Sequence, residues 1–181
     1  MPASSWVANL RNHIDVLLFP PITMDIGMKA IMTPGRRNLN FENFDEIMVD
    51  VERLLNGCDV VGGWSFAQIC RHLSSSLRVT ADLPASTPQD PSKWMAEELK
   101  RQIFESGLVP EGYVAPQLVV PAETVAESDE VESLRQAIAY YRASSGPVIP
   151  HIFLGPLTKV EWDRYHLMHC AHHLSFVIPK A

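Results

Sequence analysis

Residues 158–177 read TKVEWDRYHLMHCAHHLSFV, and this stretch decides the fold. Thr158 and Glu161 stand at capping-box spacing, which marks a helix start. Apolar and imidazole groups then cover nearly every face, so the helix, running to about Val177, is expected to be buried. Pro179 forbids much continuation. Four of the chain's seven histidines lie in it: His166, His169, His172 and His173.

Working back towards the N-terminus, the same helical signals recur. Asn43 and Glu46 have capping-box spacing before a stripe of Phe44, Ile47, Met48, Val51, Leu54 and Leu55, which Gly57 stops. Ser65 and Gln68 open a second helix, with Phe66, Ile69, Leu73 and Leu77 along one side. A third is expected from about Ser92 to Ser106, entered through Asp90-Pro91 and stopped at Gly107. A fourth runs from about Asp129 to Ser144, with Val131, Leu134, Ile138 and Tyr141 at helical spacing. The Pro-bearing stretches 82–92, 108–124 and 147–157 read as connections. No internal repeat or β-alternation stands out. The expected fold is all-α, an antiparallel helical bundle.

The first 35 residues form an extension to the main unit, residues 36–181. Trp6, Leu10, Ile14, Leu17 and Leu18 make an amphipathic stripe over 4–19, which Pro20-Pro21 ends. Residues 20–40 read as irregular, with a turn at Thr33-Pro34-Gly35. Such stripes are usually core faces, so packing on the bundle is the first reading and a homodimer contact the second.

Composition removes several classes. The net charge is −6, which argues against nucleic acid and against an anionic membrane surface. No apolar run approaches a membrane span, and Arg11, His13 and Asp15 interrupt the N-terminal apolar stretch, so no signal peptide is expected. Cys58, Cys70 and Cys170 are odd in number and lack Cys-x-x-Cys spacing, which points to a reducing compartment and cytoplasmic location. They read as small apolar residues. No nucleotide-binding glycine loop, serine nucleophile motif or paired-carboxylate signature is present.

At about 100° per residue, His166, His169 and His173 share a helix face and His172 points elsewhere. His169 and His173, at i and i+4, can chelate one ion. His166 and His173 are roughly 10 Å apart along the axis, too far to share an ion with bonds of about 2 Å. The third ligand is therefore expected from a facing helix. His72 is the remaining histidine in a strong helical pattern, beside the stripe that faces the interior. Three neutral imidazoles leave coordination positions open and suit zinc, nickel, copper or ferrous iron. The plain alternative is a set of partly buried histidines bonded to backbone and water.

Two motifs carry a resemblance: Trp64-Ser65 followed by His72-Leu73, and His169-Cys170-Ala171-His172-His173-Leu174. Both resemble the DinB/YfiT-like superfamily of metal-binding bundles. Arg37-Asn38-Leu39, Gln68-Ile69-Cys70 and the ending at Phe176 resemble an uncharacterised bacterial branch of it. The resemblance spans residues 36–178. It implies a four-helix bundle of up-down-down-up topology and a metal held by His72, His169 and His173, with His172 at the usual non-ligand position. Many members carry Arg-Gly-Gln after the paired histidines, where this chain has Leu174-Ser175-Phe176.

The resemblance implies a metal-dependent thiol transferase or hydrolase acting on a small-molecule or thiol substrate. In that reading His166 is the proton carrier, since it shares the helix face and titrates near neutrality. Tyr165 and Gln68 are lesser supporting residues. The alternatives are a non-catalytic metal- or ligand-binding bundle, and an interaction protein that docks through its N-terminal stripe.

Overall fold

The computed structural model describes residues 33–111, 117–121 and 126–180. The expected amphipathic segment 4–19 lies outside them. Among the described residues there are five α-helices: α1 (Phe44–Leu54), α2 (Phe66–Asp82), α3 (Glu97–Ser106), α4 (Glu127–Ala143) and α5 (Lys159–Leu174). The fold is thus mostly helical. α1, α2, α4 and α5 supply the main core, centred on fully buried Ile47, Val51, Leu54, Cys70, Leu134 and Leu174. α2 packs most extensively on α4. α3 packs through Ile103 and Phe104 into a smaller cluster with Leu154 and Met168.

The caps form where the sequence places them. The Asn43 side chain accepts from the Asp45 and Glu46 amides. Ser65 with Gln68, and Thr158 with Glu161, are complete capping boxes. Thr33-Pro34-Gly35 is a turn, with Gly35 at φ 85°.

Three departures arise where a distant segment of the chain competes with the local signal. Asp90-Pro91 does open a helical turn, but only a 3₁₀ turn over Pro91–Lys93; α3 starts at Glu97. The Met95 amide is drawn across to the Phe153 carbonyl at 2.7 Å, which breaks the helix between them. The last helix stops at Leu174, short of Val177, because the chain beyond it pairs with another segment. Strand β1 (Cys58–Val60) runs antiparallel to β2 (Val177–Pro179), with Cys58 opposite Pro179 and Val60 opposite Val177. The chain is therefore not purely α. Three-residue strands are too short to show an alternation in sequence.

That small sheet closes the end of the molecule that carries the last turn of α5. Arg37 donates to the Leu174 carbonyl (3.0 Å) and forms a two-pronged pair with Asp50 (2.7 and 2.7 Å). The Arg37 amide donates to the Ser175 carbonyl (2.9 Å). Arg36 donates to the His172 carbonyl (3.1 Å). Two consecutive cations thus satisfy orphan carbonyls where the helix dipole is negative.

Candidate metal centre

His72 sits midway along α2, and His169 and His173 lie on successive turns of α5. The packing of α2 on α5 brings the three rings together. The Nε2 atom of His169 lies 3.1 Å from Nε2 of His72 and 3.0 Å from Nε2 of His173. The three candidate ligand atoms all fall within 4.8 Å of one another. Bonds of about 2.0–2.1 Å at tetrahedral angles place ligand nitrogens about 3.3 Å apart, close to these two separations. His72 and His169 are buried and His173 is half-buried.

Aromatic rings frame the trio. Trp64 stacks on His173 with centroids 5.6 Å apart and planes 14° from parallel. Tyr165 stacks on His169 at 5.5 Å and 16°. The Trp-Ser motif thereby serves twice: Ser65 caps α2, and Trp64 braces a histidine of α5.

Proton positions test whether these residues suit a cation. His72 Nδ1 lies 2.8 Å from the Val119 carbonyl, an acceptor, so Nδ1 carries the hydrogen and Nε2 presents a lone pair. If His169 Nε2 carries a hydrogen, it satisfies one of its two close contacts in full. If it carries none, it faces the His72 lone pair directly. Neutral rings cannot satisfy both contacts with well-centred hydrogen bonds. A cation that accepts all three lone pairs removes the conflict, and the orienting carbonyl is the usual companion of a metal-bound histidine. The donor set therefore fits a divalent ion.

Electrostatics keeps the donors neutral. Burial lowers the His72 pKa, an effect opposed by its Val119 hydrogen bond. His169 and His173 are held well below the ordinary histidine value, first by burial and then by neighbouring imidazoles. Neutral imidazole is the form that binds metal.

The other histidines among the described residues have other partners. His166 does not join the trio: it is buried in the core, with Nε2 3.1 Å from Thr80 Oγ1, stacked on Trp162 and edge-on to Tyr141. The Thr80 hydroxyl is directed to the Ser76 carbonyl (2.9 Å), so His166 donates to it. Burial, with smaller effects of His151 and Lys159, pushes the His166 pKa down to about 3. His172 is not one of the converging ligands: its ring lies edge-on beside His173, with Nδ1 3.0 Å from the Val109 carbonyl. His151 accepts the amides of Phe153 (3.2 Å) and Leu154 (3.0 Å) on Nδ1, which pins the loop before α5. The Gln68 side chain accepts from the Ser65 amide (2.9 Å) and serves as a cap.

The cysteines fit the apolar reading. Cys70 and Cys170 are buried, all three are free, and burial raises the Cys170 thiol to about 12. Among the described residues no helix is long and apolar enough to cross a membrane.

Sequence reasoning misses the Val119 carbonyl, since a backbone acceptor brought in by a distant loop leaves no side-chain signature. It also misses the contacts of Arg36 and Glu111 beside His172. The adjacent Arg36-Arg37 pair is the one visible trace of that arrangement.

A mostly helical fold enclosing three converging imidazoles defines a helical protein with a histidine cluster able to hold an ion. The chain belongs to the family described as Protein of unknown function (DUF1569), whose model matches residues 33–180. No curated protein and no solved structure matches it.

Proposed function

We propose that this chain is a DinB/YfiT-like, metal-dependent protein that binds a divalent ion through His72, His169 and His173 and acts as a thiol transferase or hydrolase. The observation that carries the reading is the convergence of three Nε2 atoms, one already oriented by a backbone carbonyl. The four core-forming helices α1, α2, α4 and α5 support a four-helix bundle of the DinB type.

A bound ion would supply Lewis acidity and lower the pKa of a thiol or water substrate. His72, His169 and His173 hold the ion, Val119 fixes the His72 ring, and Trp64 and Tyr165 restrict ring motion and water access. With His166 bonded to Thr80, a proton carrier must come from the substrate or from another side chain.

That same fact favours a second reading, a non-catalytic metal-binding bundle. Two ligands are covered by aromatic faces, and His166, the expected proton carrier, is turned to Thr80.

Metal analysis of untagged protein tests the centre: about one ion per chain is expected, and no stoichiometric metal after incubation with zinc, nickel or iron refutes it. His173→Ala separates the two readings. Loss of metal with little change in melting temperature favours catalysis, and a steep fall favours a structural ion.

A further inference from the structure

The contacts around Glu111 bring two distant segments to the last turn of α5. The Glu111 carboxylate accepts from the Thr33 amide (3.1 Å) and the Thr33 hydroxyl (2.9 Å), and it pairs with Arg36. The Arg36 guanidinium, largely buried, also donates to Ser175 Oγ (2.8 and 2.6 Å) and to the His172 carbonyl. It lies 4.1 Å above the Phe176 ring. Two residues before Glu111, the Val109 carbonyl accepts from His172 Nδ1. The His172 ring in turn meets His173 edge-on, with centroids 4.9 Å apart.

A path of direct contacts therefore runs from Glu111 to a ligand. Glu111 fixes the chain at Val109, Val109 fixes the His172 ring, and His172 walls one side of His173. Trp64 walls another side. The segment between α3 and α4 also reaches the trio from elsewhere, through Val119 and His72. A surface ion pair would explain Arg36 and Glu111 only if they were solvated. Here one carboxylate takes three donors from a single segment, and the guanidinium is almost closed to water.

We propose that Glu111, with Arg36 and Thr33, is a positioning group for the metal centre, holding the His172–His173 turn in the geometry that lets His173 complete the trio. This rests on the reading that the trio binds metal. Glu111 and Arg36 do not touch the ion; they act through the loop at Val109 and the end of α5. Loss of a partner bonded directly to a ligand weakens metal binding by about 10- to 100-fold; Glu111 acts at one further remove, so an effect no larger than the lower end of that range is expected.

The test uses the full chain without a polyhistidine tag and Co²⁺ as probe. Affinity is read by competition with a chelator, and coordination geometry from the visible absorption bands. Glu111→Gln keeps the size of the side chain but removes its charge; Thr33→Val removes one donor and leaves the ion pair. The expected result is an affinity about tenfold weaker for Glu111→Gln with altered absorption bands, and a smaller change in the same direction for Thr33→Val. A purely structural role lowers the melting temperature of the metal-free protein yet leaves the affinity and bands of the folded fraction unchanged. That result overturns the inference, even if His173→Ala abolishes binding as the metal reading requires. If the unsubstituted chain binds no Co²⁺, the metal reading falls and this inference with it.

Discussion

Mild acid is expected to destabilise the metal-free protein well above the pH at which carboxylates are protonated. His151 and His166 are buried and held near pKa 3, against 6.5 for an exposed histidine. For both, the leading cause is burial away from water. In the unfolded chain each takes a proton as the pH falls through 6.5; in the folded chain neither does until about 3. Below pH 6.5 the unfolded state therefore binds more protons, and stability falls with pH. Each group contributes about 1.4 kcal/mol per pH unit, so by pH 5 each has cost about 2 kcal/mol, and the pair about 4 kcal/mol. Against a typical total of about 5–15 kcal/mol this is a large share. His172, lowered to about 4, acts in the same direction. The assay is denaturant unfolding followed by circular dichroism at intervals from pH 7.5 to 5, with a chelator present. His166→Phe is the control. It keeps a ring between Trp162 and Tyr141, and the slope below pH 6.5 should fall by about 1.4 kcal/mol per pH unit. A stability that stays flat from pH 7 to 5, or an unaltered slope in His166→Phe, refutes the reasoning.

Two further outcomes follow from individual contacts. Ser65→Ala removes the side-chain half of the α2 capping box and should cost about 1 kcal/mol in denaturant unfolding; no loss would mean that the box does not set the start of α2. Glu130→Ala breaks its pair with Arg71, whose side chain is 38% exposed while that of Glu130 is 4% exposed. Because water can still reach the arginine, the expected loss is about 1–2 kcal/mol, below the roughly 3–5 kcal/mol of a fully buried broken pair; a loss of the larger size would show the arginine to be desolvated.

The helical elements were legible because their evidence is local. A cap three residues from its partner, an apolar stripe and a stopping glycine all act within a few turns, as Ser65, Gln68 and Leu73 illustrate. The misplaced boundaries are those where a distant chain segment competes. The last helix loses three residues of its expected length because Val177 pairs with Val60, more than a hundred positions away. The expected start near Ser92 fails because the Met95 amide bonds to Phe153 instead of to its own helix.

The candidate centre divides in the same way. Spacing along one helix put His169 and His173 on one face and His166 too far along to share their ion, and the amino-acid sequence alone determined that much. Whether His72 would meet them depended on how α2 packs on α5, which no local pattern encodes. Only the tertiary structure brought the Val119 carbonyl to His72, Thr80 to His166, and Glu111 with Arg36 to the turn beside His173. The physical reason is range. Periodicity and capping act over a few residues, whereas the direction of a buried imidazole is set by whichever polar group the fold brings within hydrogen-bonding distance.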